Sequence, residues 1–128
     1  MKPIYLLLTL AFAVAVLISS CDSVYTYEYY VANNADTTVE VHFRMQENLR
    51  DTMVMVPVGG VQLICKPSHG VEGIKGPFFR DVDRDLDTLY VVKKGVASHR
   101  NYRNNDAWQF SKQKPAGIYT AGVTNGEF

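Results

Sequence analysis

Tyr25-Thr26-Tyr27-Glu28-Tyr29-Tyr30-Val31 alternates its side chains with a period of two. Tyr25, Tyr27, Tyr29 and Val31 share one parity, while Thr26, Glu28 and Tyr30 share the other. Successive side chains of an extended strand point to opposite faces, so this pattern predicts a strand with one face in a core. The next segment repeats the pattern after a stretch of turn-forming residues, Asn33-Asn34-Ala35-Asp36. Val39, Val41, Phe43 and Met45 fall on one face there, with Glu40, His42 and Arg44 on the other. Two such strands across a short turn are expected to pair as a hairpin.

Working outward, residues 46–50 are a polar connection and 52–58 form a β-rich run, which Pro57 confines to an edge or a bulge. Gly59-Gly60 is a turn, and residues 61–65 continue as a strand. Residues 66–77 hold three glycines and two prolines and are expected to be a loop. Later strands are expected at 86–92, 108–112 and 117–124. No segment sustains a 3.6-residue period, so helix is limited to a short piece within 99–107. Roughly seven strands at hairpin-like spacing argue for an all-β fold, a sandwich or small barrel. The expectation is an antiparallel β-sandwich, immunoglobulin-like or similar, occupying residues 26–128.

The first twenty residues have a different composition. Lys2 is followed by a mostly apolar run of fifteen residues, 4–18, broken only by Tyr5 and Thr9. As a helix it would span about 22 Å, short of the roughly 30 Å hydrocarbon core of a bilayer. It therefore reads as the hydrophobic region of a signal peptide, residues 1–20. Ordinary secretory cleavage needs small residues at the third and first positions before the cut, and Ile18 is too large. Cleavage after Ala13-Val14-Ala15 would halve the hydrophobic region.

Ile18-Ser19-Ser20-Cys21 resembles the lipobox of bacterial lipoproteins: a branched apolar residue, two small residues and a cysteine. The resemblance implies a diacylglyceryl group on the Cys21 sulfur, cleavage before it, and N-acylation of the new terminus. Residues 21–25 would then be the lipidated cysteine and a short tether. A lipidated Cys21 leaves Cys65 as a lone thiol, which reads as a small packed side chain. The run Tyr27-Glu28-Tyr29-Tyr30-Val31-Ala32-Asn33, followed by residues 38–43, resembles the opening of small β-rich lipoproteins of Bacteroidota. So does the ending Tyr119-x-x-x-Val123-Thr124 with its terminal Phe128. That resemblance implies a cell-envelope location and no particular activity. It favours the outer membrane facing the periplasm, because the single acid Asp22 is a poor match to the acidic cluster that directs surface export in that phylum.

Composition narrows the partners. The chain is 47% hydrophobic and 20% charged, with 13 basic and 13 acidic side chains. Removing residues 1–20 takes away Lys2 and no acid, which leaves no basic excess to attract phosphate backbones, and nucleic-acid binding is not expected. Asp81, Asp83, Asp85 and Asp87 alternate as the first half of a calcium loop would, which makes them the candidate metal ligands. Leu86 stands where such a loop turns on glycine, however, and Val92 where it closes with a bidentate glutamate. His42, His69 and His99 have no metal-ligand spacing, and Ser68-His69 lies in the glycine-rich segment. Tyr102 and Trp108 are the aromatic candidates for contact with a protein or glycan. The expectation is a non-enzymatic binding or accessory module held to membrane lipid through Cys21. The alternative is a calcium-dependent envelope domain or enzyme using residues 81–87.

Overall fold

The tyrosine-rich alternation becomes the centre of the molecule. The computed structural model describes residues 23–71 and 75–128; the expected signal peptide and Cys21 lie outside them. Strand β1 (Ser23–Asn33) turns Tyr25, Tyr27, Tyr29, Val31 and Asn33 inward, all buried. Each buried ring removes on the order of 150–250 Å² from water, so this one face supplies much of the hydrophobic stabilisation. On one edge β1 pairs in parallel with β9 (Ala116–Val123), from Thr26 opposite Ala116 to Asn33 opposite Val123. On its other edge two short antiparallel strands share its length: β4 (Val61–Cys65) beside its second half and β5 (Ser68–Val71) beside its first. Strand β8 (Gln109–Gln113) completes this sheet by pairing with β9.

The second sheet has the order β3 (Asp51–Val56), β2 (Val39–Met45), β6 (Leu86–Lys93), β7 (Val96–Ala97), all antiparallel. Its inward residues include Val39, Val41, Phe43, Val56, Leu86, Leu89 and Val91. They close on the tyrosines of β1, with Tyr119, Ala121 and Val123 of β9, in one core. The fold is an all-β sandwich, as the alternation predicts. It has nine strands among the described residues rather than about seven, and the central β1–β9 pair is parallel rather than antiparallel. No helix among the described residues is long and apolar enough to cross a membrane.

The expected β1–β2 hairpin does not form: the two strands lie in different sheets, and β2 pairs with β3 and β6 instead. Asn33 explains the departure. Its fully buried side chain donates from Nδ2 to the carbonyls of Thr37 (2.8 Å) and Val56 (2.9 Å), and its Oδ1 accepts from the Ala35 amide (2.9 Å). These bonds bend the chain out of the first sheet and fix it to the end of β3 in the second. Two strands that each bury one face can pack face to face as readily as edge to edge, so alternation alone does not choose between these arrangements.

Three smaller expectations change as well. Residues 23–25, expected as tether, are already in β1, where Ser23 pairs with Val71 and Tyr25 is buried. The glycine-rich segment 66–77 contains β5, and the short helix expected within 99–107 is one 3-10 turn, Asn105–Ala107.

Replacing Asn33 by alanine strands the buried Val56 carbonyl and the part-buried Thr37 carbonyl, and each buried unpaired group costs on the order of 1–3 kcal/mol. Urea unfolding of Asn33→Ala should show a loss of about 2–4 kcal/mol, and an unchanged midpoint would contradict this role.

Candidate functional site

The densest chemistry among the described residues lies between the sheets, around Asp85. A 3-10 turn, Val82–Arg84, leads into β6 and is anchored by buried Val82. It aims Asp85 inward, where the residue is 2% exposed. A carboxylate is tolerated at such a position only when it is paired and hydrogen-bonded. The Tyr29 hydroxyl donates to Asp85 Oδ2 at 2.6 Å, His69 Nε2 lies 2.6 Å from Oδ1, and the Arg80 guanidinium approaches Oδ1 at 3.7 Å. His69 reaches inward from β5, where it pairs with Tyr25. The Arg80 backbone is held in turn by the Tyr119 hydroxyl, which accepts from its amide at 2.7 Å and donates to its carbonyl at 2.6 Å. Tyr29 stacks on Tyr119 with ring centres 4.6 Å apart and meets Trp108 edge-on at 5.3 Å.

These surroundings keep the nearby acids protonated. Burial, followed by the Asp85 hydrogen bond and charge, raises the Tyr29 hydroxyl far above its ordinary value. Burial pushes the Tyr119 hydroxyl and the Cys65 thiol each up to about 12. A buried, protonated Cys65 is no nucleophile. Among the described residues His69 has no hydroxyl or thiol to activate through a hydrogen bond, so the cluster offers a histidine–carboxylate pair without an attacking group. These bonds tie the start of β6 to the centre of the opposite sheet, while Arg80 Nε stays buried without a hydrogen-bond partner among the described residues.

The four candidate calcium ligands separate. Asp81 accepts from Asn105 Nδ2 at 2.8 Å, Asp83 is exposed, Asp85 turns into the core, and Asp87 pairs with Arg44 at 2.6 Å. Among the described residues no group of three or more histidine, cysteine or acidic side chains is placed to hold a metal ion. Alternating residues share a side only along a continuous strand, and the 3-10 turn breaks that period between Asp81 and Asp85.

The two aromatic contact candidates are also corrected. Tyr102 is fully buried with its hydroxyl on the Glu127 carboxylate, and Trp108 donates from Nε1 to the Tyr102 carbonyl at 2.7 Å. The polar residues around Tyr102 conceal its burial because they serve the C-terminus: Ser98 and Arg100 also bond Glu127, at 3.3 and 3.2 Å. One exposed aromatic surface lies instead on the outer face of the second sheet. There the His42 ring stacks on Tyr90, with centres 4.8 Å apart and planes 3° from parallel. Met53 sits opposite His42 on the edge strand β3, and Thr52 and Thr88 complete a shallow depression. The period-two pattern placed His42 on this outer face, but nothing local in the sequence brings Tyr90 and Met53 beside it.

No known protein family model matches the chain, and neither a curated protein nor a solved structure resembles it significantly.

Arg44 holds the Asp87 carboxyl below its ordinary value of 3.8. A lowered folded value means that the pair stabilises the protein above the ordinary carboxylate range and loses that contribution as pH falls through the folded value. Thermal melts should therefore separate wild type from Asp87→Asn at pH 7 and bring them together once the pH falls well below the ordinary carboxylate range. A gap that persists in acid would contradict the pairing.

Proposed function

We propose that this chain is a lipid-anchored module of a bacterial cell envelope, exported and cut before Cys21, that works by binding rather than by catalysis. The observation that carries the reading is Ile18-Ser19-Ser20-Cys21 standing directly before the domain: only Asp22 separates the lipobox cysteine from Ser23, where β1 begins. Several acyl chains on one residue, at about 0.8 kcal/mol per buried methylene, would make the attachment durable. The resemblance to Bacteroidota lipoproteins supports an outer-membrane location on the periplasmic side, with surface exposure as the alternative.

The non-enzymatic part of the reading rests on the Asp85 cluster, whose groups bond one another around a protonated thiol. An envelope protein or a glycan is the partner class that suits the outer face of the second sheet. Stacked His42 and Tyr90 offer it a flat π surface, and the half-exposed thioethers of Met53 and Met55 adapt to varied shapes. The calcium-dependent alternative has no supporting geometry among the described residues.

Metabolic palmitate labelling followed by membrane fractionation tests the anchor. Wild type should carry label and sediment with membranes, whereas Cys21→Ala should lose the label and move to the soluble fraction. Membrane retention of an unlabelled Cys21→Ala chain would overturn the reading.

A further inference from the structure

The end of the sandwich where β1 begins has its own surface chemistry. Gln113 pairs with Ala116, and Ala116 with Thr26, so the β8–β9 turn at Lys114-Pro115 lies level with the start of β1. Gly76 packs so tightly on the Tyr25 ring that an added Cβ would come within 2.4 Å of it, which brings the following residues to the same end. Phe78, 48% exposed, lies there; Phe79, 49% exposed, leads away from it and packs against Phe110 and Tyr119, the partner of mid-strand Tyr29. The Lys112 ammonium sits 5.3 Å over the Phe78 ring and donates to the Lys75 carbonyl. Lysines beside aromatic rings are the combination that suits a bilayer interface, with the rings at the acyl boundary and the ammonium groups among anionic headgroups.

The geometry points to this end, Phe78 flanked by Lys75 and Lys112, as a docking surface for the lipid bilayer that holds the anchor. The inference rests on the reading of Cys21 as lipidated. Cys21 precedes Ser23 by two residues, which span at most about 7 Å. A lipid on Cys21 therefore brings the bilayer to the end of the domain that carries Phe78. Among the described residues no acidic side chain forms an ion pair with Lys75 or Lys112; Asp22 and Glu72 lie outside them. The far end of β1, about 33 Å away along eleven residues, provides a matched control. Val58 is exposed there to a similar degree (56%), in the turn that bonds Asn33. Docking would orient the domain: β1 would rise from the membrane, and the His42–Tyr90 face would stand to one side of it.

The test uses the full lipidated chain reconstituted into vesicles of phosphatidylethanolamine and phosphatidylglycerol. An environment-sensitive fluorophore is attached through Phe78→Cys or Val58→Cys. Cys65 is buried and protonated and stays unlabelled in the folded protein. The expected result is blue-shifted emission and quenching by a lipid-borne nitroxide at position 78, with aqueous emission at 58. If the protein floats with the vesicles while both positions report water, the docking surface is wrong and the anchor stands. Probes shielded from an aqueous quencher but out of reach of the lipid-borne one would mark a protein contact and overturn the proposal. A chain that does not float removes both readings.

Discussion

The hydrogen bond at the centre of this molecule crosses between its two sheets: the Tyr29 hydroxyl donates to the Asp85 carboxylate at 2.6 Å. Tyr29 lies mid-strand in β1, with β9 on one side and β4 on the other, and its ring is clamped between Tyr119 and Trp108. Asp85 stands at the head of β6, the central strand opposite, and its carbonyl also accepts from the Gln46 amide after β2. The bond therefore fixes how the sheets sit on each other, a constraint that apolar contacts alone would define only loosely. Burying a carboxylate costs several kcal/mol unless its pairing is complete, so His69 and Arg80 are needed to make the link tolerable. That requirement places β5 and the segment around residue 80.

The first and last strands meet at the same centre. Because β1 and β9 pair in parallel, nearly the whole described chain is the connection between them, and the fold closes only when its ends come together. The final residues are secured as well. Glu127 gathers Ser98, Arg100 and Tyr102, and Thr124 with Glu127 forms a capping box over the last turn. The polar run 98–106 is thus structural material for the C-terminus, which leaves the open faces and the β1 end of the sandwich available for contact.

Strand identity was legible in the sequence because period-two alternation is a local property: β1, β2, β4, β6, β8 and β9 lie at or within two residues of where the pattern puts them. Pairing was not legible, because it depends on where Asn33 sends its hydrogen bonds, and those partners are four and twenty-three residues away. The candidate sites failed for related reasons. The aspartates at 81–87 keep their spacing in sequence, but a 3-10 turn rotates them toward different neighbours. Tyr102 looks exposed among asparagines and arginines until Glu127, twenty-five residues on, is brought to its hydroxyl. The Asp85 cluster joins residues from 29 to 119, and no local pattern could assemble it.

A double-mutant cycle on Tyr29→Phe and Asp85→Asn, read by urea unfolding, tests the cross-sheet link most directly. Neither change alters side-chain volume much, so the coupling isolates the hydroxyl–carboxylate bond. The expected coupling is about 1.5–3 kcal/mol, the range for hydrogen bonds to charged groups. Losses that add to within about 0.5 kcal/mol would contradict the claim that this bond joins the sheets.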